Sequence, residues 1–189
     1  MSRIHSSELL AAGILAATVF ATAAAPPHWY LAGSKPSNYE TGVDREVVLN
    51  ARPSDYLKAK SDQDGFGTLM QDFSAVQYVG KRVRFSAFVK SDAVARWAGL
   101  WMRVDGKGGK AMSFDNMQNR PINGTTGFQH YDVVLDVPQG ATGIFLGVLL
   151  DGPGEVWMNS ADVEIVGTDI PTTGRSVADA PSNLNFDQL

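Results

Sequence analysis

Residues 81–90 read KRVRFSAFVK, and their apolar side chains fall on alternate positions. Val83, Phe85, Ala87 and Val89 share one side; Arg82, Arg84, Ser86 and Phe88 share the other. Only an extended strand gathers residues two apart on one face, so this stretch predicts a strand with one buried side. The pattern recurs. Residues 98–104 set Leu100, Met102 and Val104 against Trp101 and Arg103, with Asp105 following on the latter side. Residues 143–150 set Ile144, Leu146, Val148 and Leu150 against Phe145, Gly147 and Leu149, and residues 155–159 set Val156 and Met158 against Trp157 and Asn159. Further strands are expected over residues 46–50, 56–60, 67–73, 111–116 and 131–137, and the last one over 155–166. Between them stand Asp105-Gly106, Gly108-Gly109, Asn123-Gly124, Pro138-Gln139-Gly140 and Asp151-Gly152-Pro153-Gly154, all turn chemistry. Residues 72–79 alone read as a short helical turn. Many short strands with regular turn signals predict an all-β fold, an antiparallel β-sandwich of the jelly-roll kind.

The chain of 189 residues is long enough for one such domain, and 44% hydrophobic with 19% charged residues is a globular composition. A net charge of -4 and the lack of a basic cluster argue against nucleic acid as a partner. There is no cysteine, which excludes disulfides, thiolate zinc sites, a cysteine nucleophile and an acylated-cysteine anchor. The N-terminus carries Arg3 and His5, an apolar run from Leu9 to Phe20, and Ala21-Thr22-Ala23-Ala24-Ala25 before Pro26. That is the layout of a cleaved export signal, the alternative being an uncleaved N-terminal anchor. The expected organisation is a signal peptide over 1–25, a β-sandwich over 26–167 and a flexible tail over 168–189. The expected location is periplasmic or secreted, with no membrane span once the signal is removed. Residues 28–44 read as a turn-rich lead-in.

The stretches KRVRFSAFVK, WAGLWMRVDG, MSFDNMQNRPINGTTGFQHYDVVLDVP and IFLGVLLDGPGEVWM resemble a bacterial β-sandwich domain. It is similar to the carbohydrate-binding-module and galactose-binding-domain jelly rolls, and also occurs attached to some AraC-type transcription regulators. The resemblance spans roughly residues 28–167. It implies a ligand-binding or interaction module without a firm activity; many relatives carry a regulator label that belongs to a DNA-binding module, and no helix-turn-helix pattern is read in these residues. Such modules often end in a strand reading V-W-x-D-D, beside which some hold structural calcium. Here the strand reads Val156-Trp157-Met158-Asn159-Ser160, without either aspartate. Calcium takes several oxygen ligands, and a site here would have to be built from Asp162, backbone carbonyls and the lead-in segment, so structural calcium is the one alternative to no cofactor. No cofactor is expected, and no metal-binding residue is assigned.

The outward faces supply the candidate ligand-binding residues: Trp101, Arg103, Asp115, Asn116, Arg120 and Trp157. A few aromatics with a few placed polar groups make a small-ligand site, and indole faces stack on the C–H side of a sugar ring. Each has a structural alternative. Trp101 and Trp157 would cover a sheet face under a loop. Arg103 would pair with Asp105 or Asp115. Asn116 and Arg120 would fix the backbone of the loop that follows.

Catalytic signatures are missing: there is no G-x-S-x-G elbow, no P-loop and no HExxH. No catalytic residue is assigned. The expected function is an exported, non-catalytic module for a glycan or other small polar ligand. The alternatives are a protein-interaction or sensory domain, and a small lyase, cyclase or hydrolase using Asp115 or His130.

Overall fold

The structure is a computed structural model that describes residues 25–62 and 64–176. The export signal over 1–25 therefore lies, but for Ala25, outside the described residues, as does the end of the tail. Ten strands follow in order: β1 (Tyr30–Gly33), β2 (Tyr39–Leu49), β3 (Arg52–Ala59), β4 (Phe66–Ser74), β5 (Arg82–Gly106), β6 (Ala111–Asp115), β7 (Ile122–Asp136), β8 (Ala141–Asp151), β9 (Glu155–Val166) and β10 (Arg175–Ser176). All pairings are antiparallel. No α-helix occurs among the described residues; Pro36–Asn38 and Lys107–Gly109 form single 3₁₀ turns.

The two expected strands at 81–90 and 98–104 are one strand of 25 residues, and it organises the molecule. Its first half pairs with β7 and β9; its second half pairs with β8 and β6. One layer is therefore β2, β3, β9, the start of β5, and β7. The other is β1, β4, β8, the end of β5, and β6 with β10. The strand changes layers through a run of register shifts between Val89 and Ala98, where Ala93 takes the left-handed conformation at φ +49°. Irregular pairing sharpens local bend, which lets a continuous strand turn a sandwich corner.

The alternation read from the sequence defines the core between the layers. Val83, Phe85, Ala87 and Val89 are buried against Leu100, Met102 and Val104, Ile144, Leu146, Val148 and Leu150, and Val156 and Met158. Each of these side chains except Ala87 contributes about 1.5–3 kcal/mol when fully removed from water.

Three stretches differ from expectation. The lead-in holds β1 and the start of β2, with Trp29 and Leu31 packed against the core while Tyr30 and Ala32 face out. The helical turn begins only at Ala75, which accepts from the N–H groups of Tyr78 and Val79; Asp72, Phe73 and Ser74 belong to β4. The first part of the expected tail is laid along the sandwich. Arg82 Nη1 donates to the carbonyls of Thr168 and Ile170 at 2.9 and 2.6 Å, Thr173 exchanges hydrogen bonds with Val134, and β10 pairs with β6. These residues carry one large aliphatic side chain, Ile170, and no alternation, so periodicity could not reveal them; backbone and side-chain hydrogen bonds hold them instead.

Candidate functional site

The outer face of the second layer is built from aligned rows. Tyr30 on β1, Met70 on β4, Gly147 on β8 and Trp101 on β5 stand in register across the strands. The next row runs Asp72, Phe145, Arg103 and Phe114. Met70, Trp101 and Leu149 form a second buried apolar cluster here, with Ala32, Phe66, Trp97 and Phe145 packed against it. Above it lies a groove of about 390 Å³, lined by Trp101, Arg103, Asn116, Phe145, Tyr30 and Phe114 among others.

Trp101 is the floor of this groove. Its Nε1 donates to Thr68 Oγ1 on β4 at 2.7 Å, so the indole crosses β8, where the residue in register is Gly147. A Cβ at Gly147 would sit 2.3 Å from the Leu69 carbonyl oxygen, so no larger residue fits that crossing. The ring is only 8% exposed. Stacking surface comes instead from Tyr30 at 41% and Phe114 at 39% exposure, two large aromatic side chains left open on a strand face.

Arg103 lies across the groove, with its guanidinium carbon 5.0 Å from the Phe145 ring centroid. Its Nε and Nη2 donate to the two carboxylate oxygens of Asp105, each at 2.8 Å. The ion pair runs along one strand, two residues apart on the same side. Asp105 is buried, so the fork and the ring hold the cation in one orientation.

Asn116 is placed beside Phe114 at the end of β6 and lines the groove. Asp115 is not: it shares the inward side of β6 with Ser113 and is buried. Its carboxylate accepts from Met117 N–H at 2.9 Å and from Arg120 Nη1 and Nη2 at 3.2 and 2.7 Å. Burial pushes this carboxyl up, but the Arg120 pair and the hydrogen bonds of Thr173 and the Met117 amide outweigh it and hold it below the usual carboxylate range. Arg120 also donates to the Asp132 carbonyl at 3.0 Å, tying the loop after β6 to β7. Asp115 and Arg120 are thus partners of each other and of the backbone.

A second cleft of about 610 Å³ adjoins the groove, sharing Phe114 and Asn116, and is walled by Asp115, Gln118, Asn119, Thr173 and Gly174. Trp157 belongs to neither cavity. It stands on the outer face of the first layer, 6% exposed, donating to Asp44 Oδ2 at 2.9 Å with Lys90 Nζ 4.1 Å from its ring centroid. The six candidates therefore separate: Trp101, Arg103 and Asn116 meet in the groove, Asp115 and Arg120 anchor its rim, and Trp157 lies on the other layer. Tyr30 and Phe114 escaped the sequence reading. The signal for Tyr30 was the alternation of Trp29, Tyr30, Leu31 and Ala32; that for Phe114 was a large apolar residue on the solvent side between buried Ser113 and Asp115.

Among the described residues, no three His, Cys, Asp or Glu side chains gather as metal ligands would, and no helix is long and apolar enough to cross a membrane. His130 sits exposed on β7 against the Phe88 ring, 5.1 Å between centroids.

No family model matches the chain. A curated relative from Bacillus subtilis (strain 168), the uncharacterised HTH-type transcriptional regulator YbfP, is 46% identical over an alignment of 166 residues that covers 85% of this chain. The chain spans 56% of that relative's length. Among solved structures, the CBM22-1 xylan-binding domain of Paenibacillus barcinonensis Xyn10C matches with a TM-score of 0.53 at 12% identity, over 77% of this chain and 90% of that one. The C-terminal family 22 carbohydrate-binding module of Clostridium thermocellum Xyn10B matches with a TM-score of 0.52 at 15% identity, over 77% and 89%. The enzymatically active domain of bacteriophage CBA120 tailspike protein 4 contains a similar unit, with a TM-score of 0.54 at 15% identity over 74% of this chain and 20% of that one. At such identities the likeness is one of fold, and the chain has the β-sandwich fold of the carbohydrate-binding jelly-roll modules.

Proposed function

We propose that this protein is an exported, non-catalytic module that binds a glycan in the groove on the outer face of its second layer. The observation that carries the reading is the composition of that groove. Tyr30, Phe66, Phe114 and Phe145 give it an aromatic lining over the Trp101 floor, while Arg103 and Asn116 supply a few polar groups held in place by the protein. Sugar rings present apolar C–H patches ringed by hydroxyls, and such a surface matches both. The shared fold with xylan-binding modules supports the same reading by analogy. Export is supported by the apolar N-terminal run ending in small residues before Pro26.

The test is a thermal-shift and affinity-electrophoresis screen of the protein against an oligosaccharide panel. A ligand that binds the folded state raises the melting temperature by mass action. The expected outcome is a shift with at least one glycan that disappears in Phe114→Ala, an exposed position, while the variant's own melting temperature without ligand stays near wild type. A shift that survives this substitution, or no shift with any glycan, contradicts the assignment.

One observation favours a second reading. The curated relative is named as a regulator and is longer than this chain. In such a setting the same groove would act as a sensor, reporting a bound small molecule to an attached module or partner protein. Co-purification of a partner whose affinity changes with the glycan separates this reading from simple binding.

A further inference from the structure

Resting on the glycan reading, the groove's polar chemistry is weighted toward donors at the end formed by β5 and β6, and this constrains the sugar. The polar side chains that line it are Tyr30, Thr68, Arg103 and Asn116. Thr68 Oγ1 is spent in both roles, accepting from Trp101 Nε1 at 2.7 Å and donating to the Val148 carbonyl at 2.9 Å. The Tyr30 hydroxyl donates its hydrogen to Asp72 Oδ1 at 2.7 Å and keeps acceptor capacity on its oxygen, but it stands on β1, across β4 and β8 from Arg103. Arg103 gives Nε and one Nη2 hydrogen to Asp105, and its Nη1 has no protein partner among the described residues. The Asn116 Oδ1 accepts from Gln118 N–H at 3.2 Å, which orients the amide and leaves both Nδ2 hydrogens uncommitted. The adjoining cleft repeats the device: Asn119 Oδ1 accepts from Arg120 Nη1 at 3.0 Å, leaving its Nδ2.

At the β5–β6 end of the groove two uncommitted donors therefore stand together, Arg103 Nη1 and Asn116 Nδ2, each on a side chain oriented by a bond to the protein. An unmodified sugar hydroxyl held between these two donors matches them poorly. Each hydroxyl accepts a hydrogen bond but also brings a hydrogen that needs an acceptor, and a buried donor left unmatched costs about 1–3 kcal/mol. An oxygen that only accepts brings no such hydrogen. We infer that the groove selects a sugar carrying an acceptor-only oxygen, the carboxylate of a uronic acid or the carbonyl of an acetamido group, received by Arg103 Nη1 and Asn116 Nδ2. Arg103 stacked on Phe145 and forked to Asp105 is oriented before the ligand arrives, so little order is lost on binding.

The experiment is titration calorimetry on two matched pairs of trisaccharides: trigalacturonate against galactotriose, and chitotriose against cellotriose. Wild type is compared with Asn116→Asp, which keeps the Gln118 bond and replaces the donor by an acceptor, and with Arg103→Lys, which keeps the charge but not the fork. The expected result is that the substituted sugar of at least one pair binds about tenfold or more tightly, about 1.4 kcal/mol. The preference falls toward parity in both variants while their melting temperatures stay near wild type. A preference for trigalacturonate that weakens with salt identifies the carboxylate as the source; a salt-independent preference for chitotriose identifies the carbonyl. Equal binding within both pairs, or a preference that both variants retain, overturns this inference and leaves the glycan reading standing. Absence of binding to all four sugars and to a wider oligosaccharide panel removes the glycan reading together with it.

Discussion

Asp55 shows what a single residue can cost the stability of this fold. It shares the side of β3 that carries Leu57, and it stands opposite Met158, so the alternation turns its carboxylate toward the apolar layer. Burial pushes its pKa up to about 6. A carboxyl raised above its unfolded value binds protons more tightly in the folded state. It therefore weighs against folding above about pH 6, and that penalty is relieved as pH falls through 6 toward the unfolded value of 3.8. Full conversion of the shift would give about 3 kcal/mol; with the side chain only half-buried, ~1–2 kcal/mol is the expected size. Asp55→Asn should stabilise the protein by that amount at pH 7.5 and by almost nothing near pH 4, as read by denaturant unfolding at the two values. An equal effect at both would contradict the account. Asp115 has the opposite sign: its lowered pKa contributes stability that is lost only as pH falls through the folded value. Arg120→Ala leaves that carboxylate buried without its cation, and unfolding measurements should show a loss of about 3 kcal/mol. The sequence could nominate Asp115 and Arg120 because both are polar groups near the aromatic strands. It could not show that they satisfy each other, because that depends on a loop whose path no periodicity encodes.

At the scale of elements, β5 was legible in its halves and illegible as a whole. Its apolar alternation is clear at 83–89 and at 100–104, but between them lie Ser91, Asp92, Ala93, Ala95 and Arg96, a run that reads as a break. The break is the corner where the strand passes between layers. Gly147 and Gly174 carry two further elements. At Gly147 a Cβ would meet the backbone of Leu69 and Met70, at 2.3 and 2.9 Å, and backbone cannot move aside as a side chain can. Gly147→Ala should lower the unfolding free energy by about 2 kcal/mol or more and disturb the seat of Trp101. At Gly174 a Cβ would meet the Phe114 carbonyl oxygen at 2.5 Å and Asp115 Cβ at 2.7 Å, so the segment after β9 lies directly on β6. Gly174→Val should lift that segment and raise proteolytic cleavage within residues 167–176, while the core stays protected. Equal cleavage of variant and wild type would show that the segment is not held by this approach.

For the whole molecule, the fold was legible because its core is made of alternating aliphatic residues, and those residues need only a period to be recognised. The site was only partly legible. Strand periodicity says which residues face out, but not on which layer, and so Trp157 and Trp101 look alike in sequence and stand on opposite faces of the sandwich. That separation gives the most direct test of the central claim, that ligand binds over Trp101 on the second layer. The four tryptophans at positions 29, 97, 101 and 157 each give an indole N–H signal. In a nuclear magnetic resonance titration of nitrogen-15-labelled protein with a bound oligosaccharide, the signals of Trp101 and the backbone amides of Tyr30, Phe114, Asn116 and Phe145 should shift together. The Trp157 indole, held by Asp44 beneath Lys90, should stay in place. Shifts confined to Trp157 and its neighbours on the first layer would contradict the account.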